Sequence, residues 1–368
     1  MSELLLMTPG PTRVPERVLK AGARPMIHHR TPEFSKELVE ALRLLQPLFG
    51  TREPVLPVHT TGRGAMEAVL CNLFSPGDEI AVCCNGKFGE LWAKFATSYG
   101  LVVHRVAEDW AADIDTAQLK DVLTRYPRTR AVALAYCDTS TGVRNEVPAV
   151  ARAAKQLGAL VLVDCVSALG GMPFAFDEWE IDAAVTASQK CLMSAPGIAF
   201  VALSQPAWMA ALAARLPRNY WDFLAIKQSL SQARPETPGT TPVHLVLQVA
   251  EALRMLHEEG LTRVQQRHEA MAERVRATVA QRGLTLQCPE LARYSPTLTA
   301  IALPEGMSPA TVRDGLKARG ILIAAGMGRY ESSAFRIGHM GDIRPPDVER
   351  CLGALAMVLD GARADLPR

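Results

Sequence analysis

Apolar and polar positions along the chain follow two periods. Short continuous apolar runs mark strands buried on both faces. They recur at Glu79 to Cys84, Leu101 to Val106, Ala131 to Tyr136 and Leu160 to Asp164, and again over 182–187 and 198–203. Between them the spacing becomes helical. Residues 86–99 place Phe88, Leu91, Trp92, Phe95 and Tyr99 at recurring intervals, and residues 115–125 and 147–157 read the same way. The last of these ends near Gly158, a suitable C-terminal cap. This alternation predicts a mostly parallel sheet covered by helices on both faces.

The pattern changes after residue 204. Residues 205–242 are rich in Pro, Trp and polar side chains, and an irregular segment is expected there. A helical stretch from Val243 to Gln281 should break near Gly260. Strands near 284–288, 297–303 and 333–338 follow, with helices near 309–319 and 345–361. These elements predict a second, smaller α+β domain from residue 255 to the end. No internal repeat or low-complexity segment stands out.

Composition narrows the function class. The 368 residues are 48% hydrophobic and 21% charged, which supplies a sizeable core and excludes global disorder. Lys plus Arg number 40 against 38 Asp plus Glu, a net charge of +2 with no run of five like charges. That balance argues against a nucleic-acid or anionic-membrane partner. Apolar runs such as Gly197 to Leu203 are too short to cross a bilayer. No basic region, apolar stretch and small-residue cleavage site opens the chain, and Asp365 to Arg368 is not a Ser-Lys-Leu-type address, so a cytoplasmic location is expected. The eight cysteines (Cys71, Cys83, Cys84, Cys137, Cys165, Cys191, Cys288 and Cys351) form no CxxC pair. Most sit in apolar segments, as buried free thiols would, and nothing points to a metal site.

Candidate chemistry lies after the buried strands. Lys190, in Ser188-Gln189-Lys190, follows an apolar strand and precedes a loop ending in Pro196-Gly197, flanked by small and apolar residues. A partly desolvated lysine loses affinity for its proton and serves as a nucleophile; an ordinary loop lysine would look similar. Asp164 ends another buried strand, where open α/β sheets place ligand groups, although a helix-capping Asp also suits that position. Both could face one crevice. A lysine and an aspartate around a pyridine ring are the arrangement of pyridoxal phosphate enzymes. A phosphate site is offered by Thr60 to Glu67, where hydroxyls and glycines precede a helix with Met66, Val69, Leu70 and Leu73 on its apolar positions. Arg63 could add charge there, and a plain Thr cap is the alternative. The spacing Gly62-x-Gly64-x-x-Glu67 lacks the third glycine of a dinucleotide fingerprint, and Gly326-x-Gly328 fails similarly.

Eight segments in order carry a family resemblance: Thr8 to Thr12, Thr60 to Glu67, Asn85 to Gly89, Asp138 to Gly142, Asp164 to Gly171, Ser188 to Lys190 with Pro196-Gly197, Thr237 to Pro242, and Phe335 to Gly338. With them the chain resembles, along nearly its whole length, the class V aminotransferases of fold type I, in the alanine–glyoxylate and serine–glyoxylate branch. Gln189 stands where the related cysteine desulfurases typically show His.

The resemblance implies an α/β fold with a mostly parallel seven-stranded sheet in a large domain plus a smaller C-terminal α+β domain. It implies an N-terminal arm over 1–20, a large cofactor-binding domain over 21–254 and a small domain over 255–368. Lys190 would hold the aldehyde of pyridoxal 5'-phosphate and shuttle the substrate proton, and Asp164 would pair with the ring nitrogen. Val166 and Phe88 would pack on the two ring faces, and Thr139 would bond the ring oxygen. Thr61, Gly62 and Gln189 would hold the phosphate, with Thr240 reaching it from the partner subunit of a homodimer. Arg336 would grip the substrate carboxylate, and the turn at Gly10 would border the substrate pocket. The reaction implied is ping-pong transfer from a small amino acid to glyoxylate or pyruvate. Alternative enzymes on the same scaffold are a ureidoglycine–glyoxylate aminotransferase, a lyase or a desulfurase; a further alternative is a non-catalytic protein that keeps the fold for binding or assembly, which hydrogenase-subunit names of some relatives would fit. Two departures bear on the site. Thr237 stands where several relatives have Tyr. Arg63 stands where alanine–glyoxylate enzymes often have His, and it could bind phosphate or meet a second acidic group on the substrate. His28 and His29 could approach the pocket or serve structure alone. The amino donor is left open among alanine, serine, aspartate and ureidoglycine.

Overall fold

The computed structural model describes residues 4–288 and 294–364. The tail from Asp365 to Arg368 therefore lies outside the described residues. The chain opens with β1 (Leu5–Leu6), α1 (Glu16–Gly22), α2 (Pro32–Phe49), β2 (Leu56–Val58) and α3 (Gly62–Leu73). Next come β3 (Glu79–Cys83), α4 (Lys87–Ser98), β4 (Val102–Val106), α5 (Thr116–Arg125) and β5 (Thr129–Ala135). A small hairpin of β6 (Cys137–Asp138) and β7 (Val143–Arg144) precedes α6 (Val147–Gln156), β8 (Leu160–Asp164), β9 (Ala183–Ala187) and β10 (Ala199–Leu203). Four helices follow: α7 (Gln205–Ala213), α8 (Phe223–Leu230), α9 (Val243–Glu259) and α10 (Leu261–Gln281). The chain finishes with β11 (Thr285–Leu286), β12 (Leu298–Ala302), α11 (Pro309–Lys317), β13 (Ile321–Leu322), β14 (Ala324–Ala325), β15 (Ala334–Gly338) and α12 (Pro345–Ala364).

The large sheet has seven strands in the order β2-β10-β9-β8-β5-β3-β4. Only β10 runs antiparallel to its neighbours, so the expected mostly parallel sheet is present. The two-residue period of a strand divides its side chains between two cores. In β5, Val132 and Leu134 join a core with Phe34, Leu38 and Leu253 from α2 and α9. Ala131 and Ala133 face the opposite core, with Met66, Leu70 and Trp92 from α3 and α4. Helices on both faces are the reason these strands read as continuous apolar runs.

A second sheet has the order β11-β12-β15-β14 and is antiparallel throughout. Its core gathers Ile301, Phe335, Ile337, Val275 and Leu352. Leu5 and Met7 of the expected N-terminal arm join that core, and β1 pairs in parallel with β13. Gly260, at φ +87, separates α9 from α10 as expected. The expected division at residue 255 falls inside α9, whose Leu253 and Leu256 belong to the large-sheet core. Core membership changes along α10, between Val264 and Met271, and we propose to draw the domain boundary there.

The segment expected to be irregular contains α7 and α8. Ser204 caps α7 by accepting the Ala207 N–H at 3.3 Å, with Pro206 in the first turn. Asp222 caps α8 by accepting from Leu224 at 2.9 Å and Ala225 at 3.3 Å. These local caps outweigh the Pro and Trp content. No helix among the described residues is long and apolar enough to cross a membrane.

Candidate active site

The loops that follow β2, β3, β8 and β9 bring their chemistry to one edge of the large sheet, where open α/β sheets bind ligands. Thr61, Gly62 and Arg63 open α3, Phe88 lies in the first turn of α4, and Asp164 closes β8. Gln189 and Lys190 follow β9. Together with Val166 and Gly10 they line a cavity of about 380 Å³. Pro11, Met66, Pro196 and Met327 complete its wall. Met327 comes from the small-domain half of the chain, and no local signal marks it as a site residue.

Lys190 is half-buried, and its Nζ donates to the carbonyl of Pro9. Gly10 has φ +105, and a Cβ there would stand 2.5 Å from Lys190 Cδ. Glycine is therefore required for both backbone and space. Burial, and after it the nearby Arg336 charge, lower the Lys190 pKa to about 8 against the opposing effect of Asp164. Asp164 is 4% exposed, and its Oδ1 accepts the Val166 N–H at 2.8 Å. Burial raises its pKa to about 7, with the like charge of Asp138 adding and Lys190 opposing. A carboxyl so placed is suited to a cationic partner such as a protonated ring nitrogen.

Asp138 was not singled out in the sequence, yet it organises one wall. It is fully buried; Oδ2 accepts the Phe88 N–H at 2.8 Å, and Oδ1 accepts the Ser140 N–H at 2.9 Å and hydroxyl at 2.6 Å. Burial raises its pKa. A Cβ on Gly86 would sit 2.2 Å from the Asp138 carboxyl carbon, so glycine lets the two segments meet. Thr139, also buried, shares a hydrogen bond of 2.7 Å with Ser167 Oγ and does not line the cavity. Arg336, 7% exposed on β15, donates from Nε to Ala325 O at 2.8 Å and from Nη1 to Thr139 O at 3.1 Å. Burial lowers its pKa to about 10, opposed by Asp138. No carboxylate among the described residues pairs with it.

The start of α3 is suited to a phosphate. Thr61 is its N-cap, with no side-chain capping bond, so first-turn N–H groups are left for an anion. The Oε1 of Gln189 is buried without a partner, an amide end that rotation exchanges for a donor. A Cβ on Gly62 would stand 2.6 Å from Val166 Cγ2. Arg63 is exposed at the cavity wall, with no hydrogen bond or ion pair to any described residue.

Four further residues weighed for the site lie outside the cavity of this chain. Thr240 is exposed on the loop after α8 and does not line the cavity. Thr237 is buried and bonded to Thr241 Oγ1 at 2.5 Å. His28 and His29 lie against each other at 4.5 Å between ring centroids, outside the cavity, beside the Arg30–Glu236 ion pair.

Residues 5–344 match the family model for class-V aminotransferases. The chain belongs to the class-V aminotransferases. It is 37% identical over 359 residues to the soluble hydrogenase small subunit of a Synechococcus species, covering 96% of this chain and 92% of that one. It is 35% identical over 344 residues to the L-aspartate–glyoxylate aminotransferase of Paracoccus denitrificans, covering 92% and 86%. The crystal structure of alanine–glyoxylate aminotransferase from a Nostoc species superposes with a TM-score of 0.92 at 30% identity, over 98% and 96% of the two chains. This class-V aminotransferase is thus a fold type I transaminase dependent on pyridoxal phosphate. The uncapped α3 start, the orphan Gln189 amide and the buried Asp164 fit the cofactor's phosphate and ring nitrogen.

Proposed function

We propose that this aminotransferase moves an amino group from a small amino acid to glyoxylate or pyruvate in two half-reactions. The observation that carries the reading is Lys190, held by Pro9 O in the same cavity as Asp164, with a pKa of about 8. Bound pyridoxal phosphate supplies an electron sink for the substrate's α-carbon. Thr61, Gly62 and Gln189 would hold its phosphate and Asp164 its ring nitrogen, with Phe88 and Val166 on the two faces.

Lys190 takes the proton from the substrate α-carbon and returns it. At pH 7 roughly a tenth of a lysine with that pKa is already neutral, against far less for a solvated one, so a base is at hand without a strong partner. Arg336 receives the substrate α-carboxylate; its two backbone bonds fix the plane of the guanidinium, leaving a remaining edge for a two-pronged contact. Pro11, Pro196 and Met327 exclude water from the pocket wall.

We infer a homodimer with shared sites. Thr240, exposed and apart from its own cavity, would reach the partner's phosphate site. A cytoplasmic location is supported by eight free, buried cysteines.

The test is a visible absorption spectrum of the reconstituted protein beside Lys190→Ala, before and after an amino donor. Wild type should show a lysine-dependent visible band that the donor bleaches, with release of a 2-oxo acid and parallel-line kinetics. If no such band forms, the assignment of Lys190 fails. Elimination products or sulfide in place of a 2-oxo acid would mark a lyase or desulfurase.

A further inference from the structure

We propose that Arg63 selects the substrate: it pairs with a second carboxylate, so the amino donor is a dicarboxylic amino acid. This rests on the aminotransferase reading of the cavity. Two arginines are candidates for substrate carboxylates: Arg63 lines the cavity, and Arg336 lies outside its lining. Arg336 is buried, and its guanidinium is fixed by Ala325 O and Thr139 O, the arrangement expected for the α-carboxylate common to every amino acid. Arg63 lines the cavity from the first turn of α3, exposed, with no hydrogen bond or ion pair to any described residue.

The cavity wall offers Arg63 no anion of its own. Its one lining carboxylate, Asp164, is buried and bonded to the Val166 N–H. The phosphate does not require Arg63 either. The uncapped N–H groups of α3 and the Gln189 amide supply its donors. What is left is a planar, always-charged fork on the wall of the substrate space. Such a fork matches a carboxylate in two-pronged fashion. A neutral side chain such as a methyl leaves it facing water, with neither gain nor penalty, so discrimination comes from the added pair.

The experiment uses holoenzyme, wild type and Arg63→Gln. Binding of succinate and of propionate, unreactive di- and monocarboxylates, is measured by calorimetry. The dissociation constant of pyridoxal phosphate is measured for each variant. Steady-state kinetics are run with aspartate, glutamate and alanine. Wild type should bind succinate at least tenfold more tightly than propionate. Arg63→Gln should lose that preference, hold the cofactor within twofold of wild type, and lose at least tenfold in kcat/KM for the better dicarboxylic donor while alanine changes little. Absence of a succinate preference in wild type overturns the proposal, as does its persistence in Arg63→Gln. A cofactor held tenfold more weakly by Arg63→Gln assigns the residue to the phosphate and also overturns it. The aminotransferase reading fails separately, if no donor bleaches the visible band; succinate binding reports on Arg63 even then.

Discussion

The carboxylate of Asp138 accepts the backbone N–H of Phe88 at 2.8 Å, tying the hairpin after β5 to the first turn of α4. Phe88 lines the cavity, so the direction of its ring depends on an acid four elements further along the chain. Both Asp138 oxygens act as acceptors, one toward Phe88 and one toward Ser140. In Asp138→Asn the amide nitrogen must face one of these donors, and a buried N–H or hydroxyl goes unpaired at a cost of about 1–3 kcal/mol. The variant should melt at lower temperature and bind pyridoxal phosphate roughly tenfold more weakly, since a stacking contact is worth on the order of 1 kcal/mol. Removing the charge should also lower the pKa of Asp164, which Asp138 raises. Wild-type cofactor affinity in this variant would refute the link.

Gly62 is held to glycine by its neighbour. Alanine is the better helix former by about 1 kcal/mol, so Gly62→Ala at the start of α3 would stabilise an isolated helix. Here its Cβ would stand 2.6 Å from Val166 Cγ2. Val166 or the helix start must shift, and overpacking of this kind costs about 1–3 kcal/mol. Both moving parts contact the expected cofactor position. The expected result is a cofactor dissociation constant raised roughly tenfold or more, by the same overpacking estimate. Fluorescence titration with pyridoxal phosphate measures it.

Much of this was legible locally. Continuous apolar runs place β5 and β8, helical spacing places α4, and the ends of the strands place Asp164 and Lys190 at one edge. The phosphate-loop reading and the resemblance supplied the other site residues, seven of which line one cavity with Asp164 and Lys190. What stayed hidden depends on contacts distant in sequence. Asp138 reads as part of a polar turn until the chain brings it against Gly86 and Phe88. Met327 reaches the pocket only because the segment after β14, through Gly328 and Tyr330, packs against Trp110. The strand Leu5–Leu6 is too short to signal itself and forms by pairing with Ile321–Leu322. The helices α7 and α8 were a different kind of miss. Ser204 with Pro206, and Asp222, are local start signals that Pro and Trp content masked.

Arg336→Lys should separate substrate binding from cofactor binding. A lysine ammonium is a point charge on a flexible stem and cannot keep both backbone bonds while presenting a flat fork. Losing one side of a buried, hydrogen-bonded charge pair costs about 2–5 kcal/mol. The expected outcome is a KM for the amino donor raised at least tenfold, in line with the lower end of that range. The visible band of the cofactor should be retained. An unchanged KM would remove Arg336 from the substrate site.

The reactivity of Lys190 in the apoenzyme should titrate with a midpoint near 8, the value to which its pKa is lowered. The amine reacts only when neutral, so labelling by an acylating reagent, mapped to Lys190 by mass spectrometry, should be slow below that pH and rise through it. A solvated lysine would begin to react only near its ordinary pKa of about 10.4. The neighbours fix the signs of two further shifts. Arg336 disfavours the ammonium, so Arg336→Gln should move the midpoint up. Asp164 favours the ammonium, so Asp164→Asn should move it down. Burial is the larger cause and is common to all three proteins, so each midpoint should stay below that of an exposed lysine labelled in the same experiment. Shifts of the opposite sign would mean that Lys190 does not sense these charges, and the electrostatic account of its activation would fall.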